Sequence, residues 1–163
     1  MENLILVGMP ACGKSITGVV LAKTMRKNFV DTDLLIQERE QRPLQEIIDT
    51  DGISYFKQAE EAVLLQLDAD NTVISTGGSA IYYPRAIEHL KKKGRIVYLK
   101  VSLKTVEQRL NNIKTRGVAM KKGDTIEDLY KRRVPLYEKY ADITIEADDL
   151  PVEETVEKIM ESV

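Results

Sequence analysis

The residues best suited to chemistry lie near the start of the chain. Gly8-Met9-Pro10-Ala11-Cys12-Gly13-Lys14-Ser15 matches the phosphate-loop pattern G-x-x-x-x-G-K-[ST] at every fixed position. In such a loop the glycines let backbone N–H groups close around phosphate oxygens. The helix that follows points its positive end at the same anion. Lys14 is then placed to reach β- and γ-phosphates, and the Ser15 hydroxyl to hold Mg²⁺. At average residue usage, a chance match over a chain of this length is on the order of half a percent. Gly8 to Ser15, with Ile16 directly behind where a second hydroxyl is common, is the expected nucleotide-binding segment.

Further candidates follow along the chain. Asp31-Thr32-Asp33 puts two carboxylates one residue apart, so they point in different directions. One can face the phosphate loop and its metal while the other faces an acceptor pocket; the competing role for Asp33 is a helix cap. No acidic residue ends the strand at Ser75-Thr76, which leaves Asp31 as the better carboxylate for Mg²⁺. Gly77-Gly78-Ser79 lets backbone approach a ligand closely, or simply turns the chain. The basic segment Asn112–Gly123 has few core residues and reads as a mobile lid, with Arg116 as the electrophile able to close over a γ-phosphoryl group. Arg132 and Arg133 are neighbours and cannot share a helix face, so one can meet an anionic substrate while the other meets solvent. Lys57 is open to both readings, surface or site. Cys12 has no nearby base and reads as inert, and His89, the one histidine, as surface.

These side chains need a scaffold. Short apolar runs alternate with longer amphipathic segments, which predicts an α/β fold with a parallel sheet. The strands fall at 3–7, 28–31, 72–76, 95–100 and 142–146. The helices fall at about 14–26, 33–40, 44–49, 52–68, 84–92, 102–111, 124–139 and 152–161. Ligands on such sheets collect at the carboxyl ends of the strands, where every candidate above except Lys57 and the arginines falls. The chain has 163 residues, 43% of them hydrophobic, which is enough for one domain spanning 1–163 with a real core. The formal net charge of −2 supplies no general attraction to nucleic acid or an anionic membrane. One cysteine excludes an internal disulfide framework and fits a reducing compartment. No apolar run reaches membrane-spanning length and no leader precedes the first strand, so the expectation is a cytoplasmic monomer without a nucleic-acid or membrane partner.

Taken together, the phosphate loop, Asp31-Thr32-Asp33, Phe56-Lys57-Gln58-Ala59-Glu60, Thr76-Gly77-Gly78, Arg109, Arg116 and Arg133-Val134-Pro135-Leu136-Tyr137 before Ala141-Asp142 resemble the shikimate kinase family. The resemblance runs nearly end to end. It implies a three-layer α/β/α phosphate-loop fold of five parallel strands, with a lid over about 112–123 and an acceptor-binding region over about 32–60. It also implies transfer of the γ-phosphoryl of ATP to a ring hydroxyl of shikimate. By position, Lys14 and Arg116 would stabilise the moving phosphoryl. Ser15 would ligate Mg²⁺, with Asp31 acting on it through water. Asp33 would bind the acceptor hydroxyls and take the proton, Gly77, Gly78 and Ser79 would line the ring, Arg133 would pair with the carboxylate, and Arg109 would stack on adenine. Three positions depart from the family pattern. Lys57 stands for a carboxylate-clamping arginine, Ser79 for a third glycine, and Gly117 for the proline after the lid arginine. Lysine keeps the charge but loses the planar fork. Two departures touch the acceptor side, so a kinase of another hydroxy acid or sugar acid is the nearest rival reading. A catalytically weak nucleotide-binding module is the rival of another class.

Overall fold

A computed structural model describes residues 1–111, 118–120 and 123–163. Asn3–Val7 (β1) is buried at all five positions. That is why it reads as an unbroken apolar run rather than an alternation: a central parallel strand is covered on both faces. Asn28–Asp31 (β2), Thr72–Ser75 (β3), Gly94–Lys100 (β4) and Ile143–Glu146 (β5) join it in the order β2-β3-β1-β4-β5. Every pairing is parallel. The edge strands β2 and β5 are short and partly exposed, which limits edge-to-edge pairing.

Seven helices among the described residues connect and cover the sheet: α1 (Lys14–Met25), α2 (Thr32–Glu40), α3 (Leu44–Gln66), α4 (Pro84–Lys91), α5 (Leu103–Asn111), α6 (Ile126–Tyr140) and α7 (Val152–Ser162). The main core packs β1, β3 and β4 against these helices. A second, smaller core holds Ile36, Leu44, Ile47, Phe56, Val63 and Ala119. It joins α2 to α3 and so forms the body of the expected acceptor region.

Most element boundaries agree with the sequence reading within two residues. The exception is α3, expected as two helices. Its Gly52 has φ 88° and ψ 168°, so the axis breaks there although both halves belong to one element. A Cβ at Gly52 would meet nothing within 4 Å, so glycine is needed for its backbone angles and not for space. His89, expected at the surface, is half-buried, with Nε2 2.7 Å from the carbonyl of Leu67. The cause is that α4 turns Ala86, Ile87 and Leu90 onto the sheet and carries His89 to the margin of that face. Arg116, Gly117 and most of the expected lid lie outside the described residues.

Candidate active site

β1 delivers the phosphate loop to the carboxyl edge of the sheet. Gly13 begins α1 with φ 94° and no side-chain cap, so the start of the helix carries no competing oxygen. Lys14 is buried. Its Nζ donates to the carbonyls of Gly8 (2.7 Å) and Met9 (2.9 Å) and lies 3.5 Å from Cys12 Sγ. The ammonium is therefore stored over the loop, where anion oxygens can replace carbonyl oxygens without moving the backbone. Cys12 is buried in the core behind it.

β2 ends at Asp31, which caps α2: its Oδ1 accepts from the backbone N–H of Asp33 (2.9 Å) and of Leu34 (3.3 Å). The cap is therefore Asp31 and not Asp33. The other oxygen of Asp31 accepts from Ser15 Oγ at 2.9 Å. This gives a hydroxyl and a carboxylate oxygen side by side at the start of α1. Asp33, released from capping, faces the cleft.

The third side comes from the turn after β3. Thr76 is tied to β1 through its N–H and hydroxyl, both donating to the carbonyl of Leu6. Gly77 and Gly78 then pass between side chains that leave no room for a Cβ. At Gly77 it would lie 2.6 Å from Asp33 Oδ1 and 2.9 Å from Glu60 Oε2. At Gly78 it would lie 2.6 Å from Arg133 Nη1 and 2.9 Å from Pro10 Cδ. At both positions a side chain would have to displace groups of the cleft itself.

α6 supplies the cation. Thr125 and Asp128 close a capping box at its start. Its buried stripe is Leu129, Arg133 and Tyr137, four residues apart. Arg133 is only 1% exposed; its Nη2 donates to the carbonyl of Ala119 (3.1 Å) and its Nε to Tyr82 Oη (3.3 Å). Tyr137 Oη donates to the carbonyl of Gly78 at 2.6 Å, while its ring stacks on Tyr98. Arg132 points away and pairs with Asp124. Burial thus separates two arginines that adjacency alone could not rank.

Lys14, Ser15, Asp33, Glu60, Gly77, Gly78, Ser79 and Arg133 line one cleft of about 170 Å³. A second hollow opens on the other side of the phosphate loop, where Arg109 Nη1 donates to the carbonyl of Ala11 (2.8 Å) and faces Ala147, Leu150 and Val152. Lys57 lies outside the first cleft. Its Nζ sits 5.4 Å from the centre of the Tyr82 ring, the same distance as Arg133 Cζ.

Sequence reasoning missed the role of Glu60. It is fully buried. Its Oε1 accepts from Ser79 Oγ in a short hydrogen bond and from Tyr83 Oη at 2.8 Å. Burial pushes its carboxyl up to about 7; Asp33 pushes the same way, and the hydrogen bonds from Ser79 and Tyr83 and the charge of Arg133 oppose it. The signal was present: Glu60 sits four residues after Phe56 and three before Val63, on the apolar stripe of α3. A carboxylate in that register needs a reason to be inside.

The shikimate kinase family model matches residues 10–163. A shikimate kinase of Clostridium botulinum is 41% identical over 144 residues, spanning 85% of this chain and 84% of the relative. The structure of shikimate kinase from Acinetobacter baumannii in complex with shikimate superposes with a TM-score of 0.91 at 30% identity, covering 99% of this chain and 92% of that one. Shikimate kinase from Aquifex aeolicus gives 0.84 at 31% identity, covering 98% and 95%. A loop, a paired carboxylate and a buried arginine meet at one sheet edge, and the similarity extends from that edge over nearly the whole chain: the chain belongs to the shikimate kinase family.

Proposed function

We propose that this chain transfers the γ-phosphoryl group of ATP to a ring hydroxyl of shikimate. The observation that carries the reading is the meeting of Lys14, Asp33 and Arg133 on one cleft at the carboxyl edge of the sheet. Phosphoryl transfer needs positioning and charge neutralisation more than covalent help. Lys14 exchanges the carbonyls of Gly8 and Met9 for phosphate oxygens. Arg109 lies at the far side of the loop, where a base would rest. Asp33 accepts from the acceptor hydroxyl and aims it. Arg133 pairs with the carboxylate, and its buried guanidinium makes that pairing strong. Arg116, outside the described residues, is assigned to the moving phosphoryl by family position alone.

Ser15 and Asp31 would hold Mg²⁺. Both offer hard oxygen donors, and they stand 2.9 Å apart. Among the described residues no group of three His, Cys, Asp or Glu side chains could hold a metal. Two oxygens with the rest from phosphate and water suit Mg²⁺, which keeps several waters. Held there, Mg²⁺ would supply neutralisation of phosphate charge, while Lys14 and the loop N–H groups bind and orient the phosphates.

The test is acceptor-dependent release of ADP by the purified protein with Mg²⁺ and ATP, across shikimate and other polyhydroxylated acids. Turnover with shikimate well above the others supports the reading. Faster turnover with a different acid moves the assignment to that acid, and none with any acceptor removes it.

A further inference from the structure

The phosphate loop holds a turn in a conformation that its own residue disfavours. The Cys12 N–H donates to the Met9 carbonyl at 3.2 Å and closes a four-residue turn, Met9-Pro10-Ala11-Cys12. Proline leads it and Ala11 follows with φ 64°, in the left-handed region. That is the pattern of a type II turn, whose third residue is ordinarily glycine because a Cβ there is strained. For an alanine the ordinary cost of left-handed backbone corresponds to about tenfold in the population of the turn. Arg109 reaches this turn from α5, and its Nη1 donates to the Ala11 carbonyl at 2.8 Å. The Ala11–Cys12 peptide is thus gripped at both polar ends, its C=O by Arg109 and its N–H by Met9.

We propose, building on the function proposed above, that Arg109 is a positioning residue for the phosphate loop: by holding the Ala11 carbonyl, its guanidinium keeps Met9–Cys12 in the strained turn and so keeps the loop ready for phosphate before a nucleotide arrives. A charged donor on a carbonyl contributes about as much as the strain costs, so this one bond can decide the balance. Without it, Ala11 relaxes out of the left-handed region, the peptide rotates, and the Cys12 N–H leaves Met9. The Met9 carbonyl also accepts from Lys14 Nζ at 2.9 Å, so the stored ammonium shifts with it. A guanidinium carries five N–H donors around its edge and two open faces. With one N–H on Ala11, a face is still available to a base in the hollow beside Ala147, Leu150 and Val152. Holding the loop and stacking on a base are therefore separate uses of one side chain.

Two consequences separate this role from stacking alone. An anion that carries no base must still feel the loss of Arg109. Ala11→Gly, which takes the turn without strain, must make Arg109 less necessary. The second consequence also separates the role from simple charge, because glycine does not replace a lost cation.

The experiment is calorimetric binding of tripolyphosphate and of ATP, each with Mg²⁺, to wild type, Arg109→Met, Ala11→Gly and the double variant. Methionine keeps an apolar stem of similar length and removes the donors. Arg109→Met should bind tripolyphosphate about tenfold more weakly, as the competent fraction of the loop shrinks. It should lose more for ATP, about thirtyfold, because the base contact goes as well. Ala11→Gly alone should stay within about threefold of wild type, and in the Arg109→Met background it should restore tripolyphosphate binding to within about threefold, a non-additive cycle. If Arg109→Met loses ATP affinity but keeps that for tripolyphosphate, or if the double variant is as weak as Arg109→Met, the inference is overturned and the proposed function stands. Wild type that binds ATP but no tripolyphosphate has no loop held ready, which also overturns the inference alone. Wild type that binds neither removes both. If Arg109→Met does not fold, amide exchange in ligand-free wild type decides. The Cys12 N–H should exchange at least about tenfold more slowly than an unstructured amide, and unprotected exchange overturns the inference.

Discussion

Gly77→Ala isolates the aim of the acceptor from the rest of the machinery. The added methyl would stand 2.6 Å from Asp33 Oδ1 and 2.9 Å from Glu60 Oε2, where ordinary contact begins at 3.4 Å. Gly77 does not have a positive φ, so alanine is acceptable to the backbone and the whole effect falls on the two carboxyl groups. To restore contact, Asp33 must retreat by about 0.8 Å. Misplacement by about 1 Å at a reacting centre can cost on the order of a hundredfold in rate. The expected loss in kcat/KM for shikimate is therefore roughly a hundredfold, which is about 2.7 kcal/mol of transition-state stabilisation. ATP affinity should change less than threefold, a range of under about 0.7 kcal/mol, because Gly77 faces acceptor-side groups. The assay is ADP release by coupled enzymes, with shikimate titrated at saturating ATP, beside ATP binding and urea unfolding of the same variant. Wild-type kcat/KM in a folded Gly77→Ala protein would refute the claim that Asp33, held in this place, aims the acceptor.

Other outcomes follow from the same geometry. Lys14→Ala should lower kcat by about a thousandfold, the scale seen when one preorganised charge donor is removed from a transition state, with near-normal shikimate binding by calorimetry as the check. Lys57→Arg should lower KM for shikimate several-fold with little change in kcat, because a planar guanidinium stacks on Tyr82 and can offer a second fork to a carboxylate; an unchanged KM would place position 57 outside acceptor recognition. Glu60 also makes stability depend on pH. Its folded value of about 7 lies above the ordinary 4.5, so the native state binds the proton more tightly. That contribution is full below about 4.5 and is lost as pH rises through about 7, a swing of roughly 3 kcal/mol at 1.36 kcal/mol per unit. Urea unfolding of wild type and Glu60→Gln at pH 5 and pH 8 should show the variant gaining by about that much relative to wild type; equal slopes would contradict a proton-holding Glu60.

Local signals carried much of the fold and the nucleotide side. β1 is five apolar or buried positions followed by a loop whose glycines and lysine are fixed by spacing, so strand, loop and helix are written consecutively. The acceptor side was less legible because tertiary contacts assemble it. Nothing near Ser79 in the sequence says that its hydroxyl meets a carboxyl nineteen residues earlier. Arg132 and Arg133 differ only in which face of α6 they occupy, and that depends on where Leu129 and Tyr137 pack. Asp31 and Asp33 were both legible as candidates, and the cap fell to Asp31 because its Oδ1 reaches two N–H groups at the start of α2. Lys57, open between surface and site in the sequence, has its ammonium 5.4 Å from the Tyr82 ring, the same distance as the Arg133 guanidinium, while Phe56 and Glu60 turn into the core.

The central claim is that one cleft carries a phosphoryl group from nucleotide to an alcohol aimed by Asp33. The most direct measurement follows the γ-phosphate label of ATP in a single turnover with shikimate, in wild type and in Asp33→Asn. Wild type should pass the label to shikimate and almost none to water, and Asp33→Asn should bind ATP normally yet transfer at least a hundredfold more slowly, the scale of one lost general base. Label that remains on ATP or goes to water in wild type, or transfer at the wild-type rate by Asp33→Asn, would contradict the account.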